Sequence, residues 1–542
     1  MQGYLHPAKP FQRSEREATM FHTTVGELYD NCVRYYRPNV ALKHHDRTVT
    51  YGQLGENAAR LANGLHRLGL QKGQRVAFLM ANCPEYVFAE YALAKLGIPR
   101  VPLAVLLSAD HHIYMMNHSE ATALIYHHKL ADRVQAMIPH LETVKTFICV
   151  SDDPAAVPEG HLHLQTMLAD SPPEFPAVEV TPQDLCGLYY TGGTTGRPKG
   201  VMLSHRAWVN AVMMEMLELS LGREETFAYM TPLTHAAGVL LLPVLLRKGT
   251  CYIMDGFDPA AFLQAVEREK ITATLCVPTM IYMLLDHPDL HKYDTSSLRN
   301  VLYGAAPIAP ERLKQAINHF GPVFSQFYGQ TEAPMILAAL PKEEHVIADP
   351  EREREVFSSC GRPTMTTRIR LLDRDGNEVP PGEVGEIVAL STFTMDGYFK
   401  DPQKTAETLV DGWLHTGDLA RQDEQGFLYI VDRAKDMIIS GGFNIYPREI
   451  EDVLFEHPAV KGAAVIGVPD EKWGEAVKAI VVLHEGQSAT EEELIAFVKE
   501  RKGSLVAPKS VEFWDAIPLT NLGKVDKKKI RAPYWRGKER QV

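Results

Sequence analysis

The chain has 542 residues, 45% of them hydrophobic and 23% charged, with a formal net charge of −12. That composition excludes a disordered or fibrous chain, and the length calls for several packed units. The acidic balance argues against a polyanion as the main partner, so no nucleic acid is expected.

Met1 to Thr19 is polar and charged with no apolar core, so a secretory leader is not expected. The longest apolar run, Ala236 to Leu246, is interrupted by Gly238 and Pro243 and falls short of the roughly 20 residues of a spanning helix. A cytoplasmic protein is expected, with peripheral membrane contact left open. Oligomeric state is also left open, a homodimer included. The seven cysteines are scattered without a C-x-x-C pair, so neither a zinc site nor a disulfide framework is expected. Histidine doublets stand at His44–His45, His111–His112 and His127–His128. Adjacent side chains diverge on regular elements, which favours surface or structural roles over metal binding.

From about 50 to 340, helix and strand patterns alternate. Tyr51 to Leu68 reads as an amphipathic helix with Leu54, Ala58, Leu61 and Leu65 on one face. Arg75 to Met80 reads as a buried strand and Glu85 to Leu96 as the next helix. Short β-rich runs follow at Ala123–Tyr126, Thr146–Val150, Cys251–Met254 and Ala273–Val277. Such alternation predicts parallel sheets covered by helices. From about 355 to 432, strands Ile369–Leu372 and Gly385–Ala389 with turn signals at Asp375-Gly376 and Pro380-Pro-Gly382 predict a β-rich subdomain. Beyond Asp432 the pattern is α+β: helices at Pro447–Glu456 and Glu491–Arg501, strands at Ala463–Val468 and Ala476–Leu483. The expected fold class is α/β, with a large N-terminal domain (1–433) of two helix-covered sheets plus the β-rich subdomain. A small α+β C-terminal domain (434–542) follows, the boundary lying at Arg433–Lys435.

The sharpest local signal is Tyr190-Thr-Gly-Gly-Thr-Thr-Gly-Arg-Pro-Lys-Gly200. Glycines that free the backbone, threonine hydroxyls and Lys199 suit a loop around a polyphosphate. It is not a Walker A loop, because Pro198 precedes the lysine and Gly200 follows it. Further along come Pro232-Leu-Thr-His235, Gly304-Ala-Ala-Pro307, Tyr328-Gly-Gln-Thr-Glu332 and Trp413-Leu-His-Thr-Gly-Asp418. Asp432-Arg-Ala-Lys-Asp436, Ser440-Gly-Gly442 and Pro518-Leu-Thr-Asn-Leu-Gly-Lys524 complete the set.

With these motifs in this order, the chain resembles the adenylate-forming superfamily of acyl-CoA synthetases, luciferases and adenylation domains, over almost its whole length. The resemblance implies an ATP-dependent acid–thiol ligase that forms acyl-AMP and then acyl-CoA, with ATP, Mg²⁺ and coenzyme A. It implies ATP contacts from Thr191, Gly192, Gly193, Thr194, Thr195, Gly196 and Lys199. Gly304, Ala305, Ala306, Tyr328 and Gly329 fall on the adenine side. Thr331 is implied at the α-phosphate, Glu332 at Mg²⁺, Asp418 on the ribose hydroxyls with Arg433 in support, and Lys524 as catalytic lysine. Lys527, Lys528 and Lys529 read instead as a solvated charge run. A mobile C-terminal domain is implied to turn about Lys435, with Gly441 and Gly442 beside the coenzyme A tunnel.

His235 is implied as the gate between carboxylate and thiol, a buried structural histidine being the alternative, and Ala236, Ala237 and Gly238 line the acyl pocket. The chain departs from the family pattern at Gly192, where many relatives carry serine, and at Thr234, where an aromatic is common. With no acidic residue in Thr234–Leu242 and small neutral Ala305 and Ala306, the pocket is expected to be apolar. A medium- or long-chain fatty acid is the first expectation and an aryl or alicyclic acid the second. Loading of a carrier protein is the competing acceptor, while a luciferase-like oxygenase has no special support.

Overall fold

The computed structural model describes residues 22–191, 197–433, 436–440, 443–470, 472–519 and 525–536. The contacts divide the chain into two compact units, 1–368 with 389–414, and 369–388 with 415–542.

The first unit holds two large sheets. In the nine-stranded sheet, Val40–His44, Thr250–Ile253, Thr226–Tyr229, Ala273–Cys276, Asn300–Gly304 and Phe324–Gln330 run parallel in that spatial order. Antiparallel strands close both edges: Arg47–Thr50 at one, Ala333–Leu340 and Arg362–Pro363 at the other. The eight-stranded sheet runs parallel from Leu185–Thr191 through Arg100–Pro102, Arg75–Leu79, Ala121–His127 and Thr146–Val150 to Leu162–His163. Lys199–Ser204 and Gly397–Tyr398 extend it antiparallel.

The helices are set by caps and apolar faces. Thr24 with Glu27 and Thr50 with Gln53 form capping boxes that satisfy the first free amides of Val25–Tyr36 and Tyr51–Arg67. Leu54, Ala58, Leu61 and Leu65 are buried, as the periodicity predicts. Helix Pro84–Leu96 is buried along nearly its whole surface, with Glu85 paired to Arg47 and Glu90 accepting from the Tyr29 hydroxyl, and stops at Gly97 in the left-handed region (φ 61°). All seven cysteines are free and buried, as expected of core residues.

In the second unit, Arg368–Leu372, Val384–Leu390, Trp413–Gln422 and Leu428–Arg433 are four strands of the five-stranded β-rich sheet. The last sheet orders Phe443–Ile445, Ile438–Ser440, Gly474–Leu483 and Val460–Asp470, with Ser510–Phe513 parallel to Gly474–Leu483. Its period-2 alternation feeds two layers. Ala463, Val465, Val477, Ala479 and Val481 pack in one core with Ile450, Leu454, Leu494 and Val498 of the helices Pro447–Phe455 and Glu491–Lys502. Ala464, Ile466 and Ile480 pack with Ile530 of Lys527–Arg531 in the other.

This division differs from a break at 433–435, because 369–388 and 415–433 group with the C-terminal residues while 389–414 groups with the first unit. Within the unit, the Arg448 backbone amide donates to the Asp432 carboxylate at 3.3 Å, tying the start of helix Pro447–Phe455 to the strand that ends at Arg433.

Candidate active site

In the first unit, Thr191 and Lys199 are register partners at the end of an antiparallel hairpin, and Tyr190 pairs with Gly200. Gly192, Gly193, Thr194, Thr195 and Gly196 lie outside the described residues. The Lys199 ammonium sits 5.1 Å from the centre of the Tyr398 ring, on the strand that pairs with its own.

Thr331 and Glu332 are the two residues between Gln330 and Ala333, which pair across an antiparallel hairpin. A bulge shapes this turn. The register shifts between Tyr328 and Gln330, Met335 adopts φ 58°, and a Cβ on Gly329 would fall 2.3 Å from the Met335 carbonyl carbon. Only glycine fits there. Glu332 is buried, and its Oε1 accepts a 2.7 Å hydrogen bond from the Tyr398 hydroxyl, while its carbonyl accepts from the Met395 amide. Burial, then the Glu332 charge, pushes the Tyr398 hydroxyl well above its ordinary range, so it stays a donor. The same segment reaches the hairpin that pairs Thr191 with Lys199, because the Phe399 amide donates to the Gly200 carbonyl at 2.8 Å.

Gly304 and Phe327 are parallel register partners, so Gly304, Ala305 and Ala306 and the buried Tyr328 lie at neighbouring carboxyl ends of parallel strands. That is where open α/β sheets place ligands. Ala305 takes φ 64° and, like Ala306, is exposed.

The 231–235 segment is held by Asn82, whose Nδ2 donates to the Thr231 and Met254 carbonyls and whose Oδ1 accepts from the Leu233 amide. His235 precedes the helix Ala236–Val239 and is exposed, which overturns the buried structural alternative. Ala236 is half-buried, while Ala237 and Gly238 are buried. A Cβ on Gly238 would lie 2.0 Å from the Leu233 carbonyl oxygen. The Thr234 hydroxyl is buried and has no hydrogen-bond partner among the described residues.

In the second unit, Asp418 and Arg433 are register partners across the Trp413–Gln422 and Leu428–Arg433 ladder, which brings together the two residues implied at the ribose. Gly417 supplies φ 72°, and its amide donates to Glu386, while the Asp418 amide donates to Thr416 Oγ1. Lys435, Gly441, Gly442 and Lys524 lie outside the described residues. Their flanks are placed: Ser440 pairs with Phe443, and Leu519 bridges to Val525. The charge run after Lys524 is solvated at Lys528 and Lys529 only. Lys527 is ion-paired with Glu451 at 2.9 Å, and although burial works against its charge, the Glu451 carboxylate holds its ammonium above the ordinary lysine range.

A family model described as AMP-binding enzyme matches residues 29–399, and one described as AMP-binding enzyme C-terminal domain matches 449–524. The chain belongs to the AMP-binding enzyme family. It is 41% identical to the medium/long-chain-fatty-acid–CoA ligase FadD8 of Mycobacterium tuberculosis over 527 residues, covering 95% of this chain and 91% of that one. It is 40% identical to a feruloyl-CoA synthase of Amycolatopsis sp. over 494 residues, 91% of this chain and 95% of the relative. The solved structure of the amide bond synthetase McbA from Marinactinospora thermotolerans superposes with a TM-score of 0.85 at 32% identity, covering 94% of this chain and all of that one.

This AMP-binding enzyme is an adenylate-forming, ATP-dependent acyl-CoA ligase whose substrates are a small carboxylic acid, ATP and coenzyme A. Its mixed α/β architecture, a large sheet-and-helix part followed by a smaller C-terminal one, is that of the adenylate-forming enzymes. No helix among its described residues is long and apolar enough to cross a membrane.

Sequence reading missed Tyr398 and the buried Glu215. Gly397–Tyr398 is a two-residue strand, too short for any periodicity to mark it. Glu215 sits on the helix His205–Glu218 with neither carboxylate oxygen hydrogen-bonded among the described residues, and burial pushes its carboxyl well above the ordinary range. A carboxylate in the midst of Met213, Met214 and Met216 was the only signal.

Proposed function

We propose that this acyl-CoA synthetase activates a medium- or long-chain fatty acid in two steps. The carboxylate attacks the α-phosphorus of ATP and expels pyrophosphate, giving acyl-AMP. The coenzyme A sulfur then attacks the acyl carbonyl, the thiol proton leaves, and AMP departs. Charge builds on phosphate oxygens in the first step and calls for preorganised donors. Thr191, Lys199 and Thr331 are the donors for it, with Lys524 bridging carboxylate and phosphate oxygens. Asp418 accepts from the ribose hydroxyls, with Arg433 beside it in register, and Tyr328 stacks on adenine. The Glu332 carboxylate and Thr331 hydroxyl are hard oxygen donors of the kind Mg²⁺ selects, and the bound ion would neutralise charge on the phosphates. His235 stands where acyl donor and thiol meet, and Gly441 and Gly442 leave room for the pantetheine arm.

The observation that carries the fatty-acid reading is the apolar run after His235. Ala237 to Leu242 is buried without one acidic group, and the chain is similar to FadD8 over nearly its whole length. An aryl acid is the second reading. The unpartnered buried Thr234 hydroxyl would suit a phenolic substituent, and the likeness to a feruloyl-CoA synthase is nearly as high.

A pyrophosphate-release panel from acetate to palmitate, with ferulate and glycine, decides between them. Each well-buried methylene is worth about 0.8 kcal/mol, so kcat/KM should climb about four-fold per methylene over part of the series. A flat profile, or a preference for glycine, removes the apolar pocket. Ferulate above every fatty acid selects the aryl reading. Thioester formation with free coenzyme A, but not with a holo carrier protein, identifies the acceptor.

A further inference from the structure

The first histidine doublet is not part of the ligase machinery, and its rings do not diverge. His44 ends the strand Val40–His44 and pairs with Arg47, so His45 and Asp46 form the turn. His45 takes φ 50°, a left-handed conformation that costs a non-glycine residue energy. That conformation folds its ring back to 4.2 Å from the His44 ring, centre to centre. Both Nε2 atoms then meet one oxygen, Asp255 Oδ1, at 2.9 Å from His44 and 3.2 Å from His45. Asp255 arrives from the neighbouring parallel strand, where His44 is in register with Ile253.

We propose that His44, His45 and Asp255 bind a divalent transition-metal ion of the zinc type. The donor set is two imidazole nitrogens and one carboxylate, which suits zinc and its neighbours and not magnesium. The three ligand atoms all lie within 4.8 Å of one another. Around an ion with bonds of about 2.0–2.1 Å, adjacent ligand atoms stand about 2.9 Å apart in an octahedron and about 3.3 Å apart in a tetrahedron. The observed separations of 2.9 and 3.2 Å are of that size. A pair of imidazole N–H donors on a carboxylate is the alternative, and the titration below separates the two. The sharing of one carboxylate oxygen by two imidazoles tips the balance: a second hydrogen bond there gains little, because the His45 side chain is 67% exposed. Three ligands on rigid strand ends leave open positions for water, or for His127, which lies within electrostatic range of Asp255. Lys129, equally within range, opposes a cation and keeps the site moderate in affinity. A bound ion would clamp the first hairpin to the segment after Thr250–Ile253, apart from the Mg²⁺ of the reaction.

The test is calorimetric titration of the chelator-treated full-length enzyme with Zn²⁺, in the wild type and in His45→Asn and Asp255→Ala. Asparagine tolerates the left-handed conformation, so the turn survives. One saturable site is expected, weakened at least about ten-fold in each variant, since loss of a direct ligand must cost no less than loss of an outer partner. Zn²⁺ should raise the wild-type melting temperature and leave both variants unmoved, and excess Mg²⁺ should not displace it. The proposal is overturned if the wild type lacks a saturable site, if the variants titrate like the wild type, or if Mg²⁺ competes.

Discussion

Tyr398 donates to Glu332 and lies under the Lys199 ammonium, so one phenol touches the acidic and the basic groups that the phosphates are proposed to meet. A hydrogen bond to a charged acceptor is worth about 1.5–3 kcal/mol. Tyr398→Phe should therefore lower kcat/KM for acyl-AMP formation about ten-fold or more, with partial recovery at high Mg²⁺, read by pyrophosphate release. An unchanged rate and Mg²⁺ dependence would remove Tyr398 from the site. Glu215 tests the opposite situation, a carboxyl with nothing to pair with. Its folded-state pKa is raised above the ordinary value of 4.5. Below that value both folded and unfolded chains hold the proton. Above it the unfolded chain releases the proton and the folded chain does not, so stability is lost as pH rises toward the folded pKa. Glu215→Met should gain on the wild type as pH goes from 5 to 8, by at most about 1.4 kcal/mol per pH unit, measured in urea melts. A pH-independent gap would show that the carboxyl ionises freely. Asp418 and Arg433 were legible because each sits in a dense local motif, and the ladder sets them opposite. Tyr398 was not, because its value comes from Glu332, 66 positions away in sequence. The rings of His44 and His45 come together, 4.2 Å apart, where a left-handed residue breaks the rule that adjacent side chains diverge.

Regular elements were the most readable layer. The helix observed at Tyr51–Arg67 and the strands at Arg75–Leu79 and Thr146–Val150 fall where apolar periodicity placed them, because burial in a covered parallel sheet leaves that pattern. What periodicity cannot carry is irregularity within an element. The Phe324–Gln330 and Ala333–Leu340 hairpin looks continuous in sequence, yet its bulge aims Thr331 and Glu332. Gly329 is the hinge of that geometry, since its added Cβ would meet main chain and not a side chain able to turn away. Gly329→Ala should push the hairpin apart, cost about 1–3 kcal/mol, and reduce adenylation more than stability explains. Pyrophosphate exchange measured well below the melting temperature is the check. Wild-type exchange in a folded variant would mean that the turn tolerates the shift.

At the scale of the molecule, the readable part was the order of the motifs along the chain. The grouping of 369–388 and 415–433 with the C-terminal residues depends on contacts between distant strands and was not readable. That grouping sharpens the proposed rotation about Lys435. Within the second unit, helix Pro447–Phe455 is tied to strand Leu428–Arg433 through the Arg448 amide and Asp432. A turn about Lys435 would break this contact, so the proposed rotation exchanges one set of contacts for another. The proposed chemistry asks for two arrangements: Lys524 is assigned to adenylation and Gly441 and Gly442 to the thiol, and all three belong to the segment beyond Lys435. Lys524→Ala should lower acyl-AMP formation by about 10²–10³-fold while thioester formation from supplied acyl-AMP survives. Proline at the hinge should do the reverse. Lys435→Pro fixes φ near −65° and restricts Ala434, so acyl-AMP should form in a normal burst while coenzyme A-dependent turnover collapses. If Lys435→Pro turns over normally, no rotation occurs at that residue, and the Asp432–Arg448 contact persists through both half-reactions.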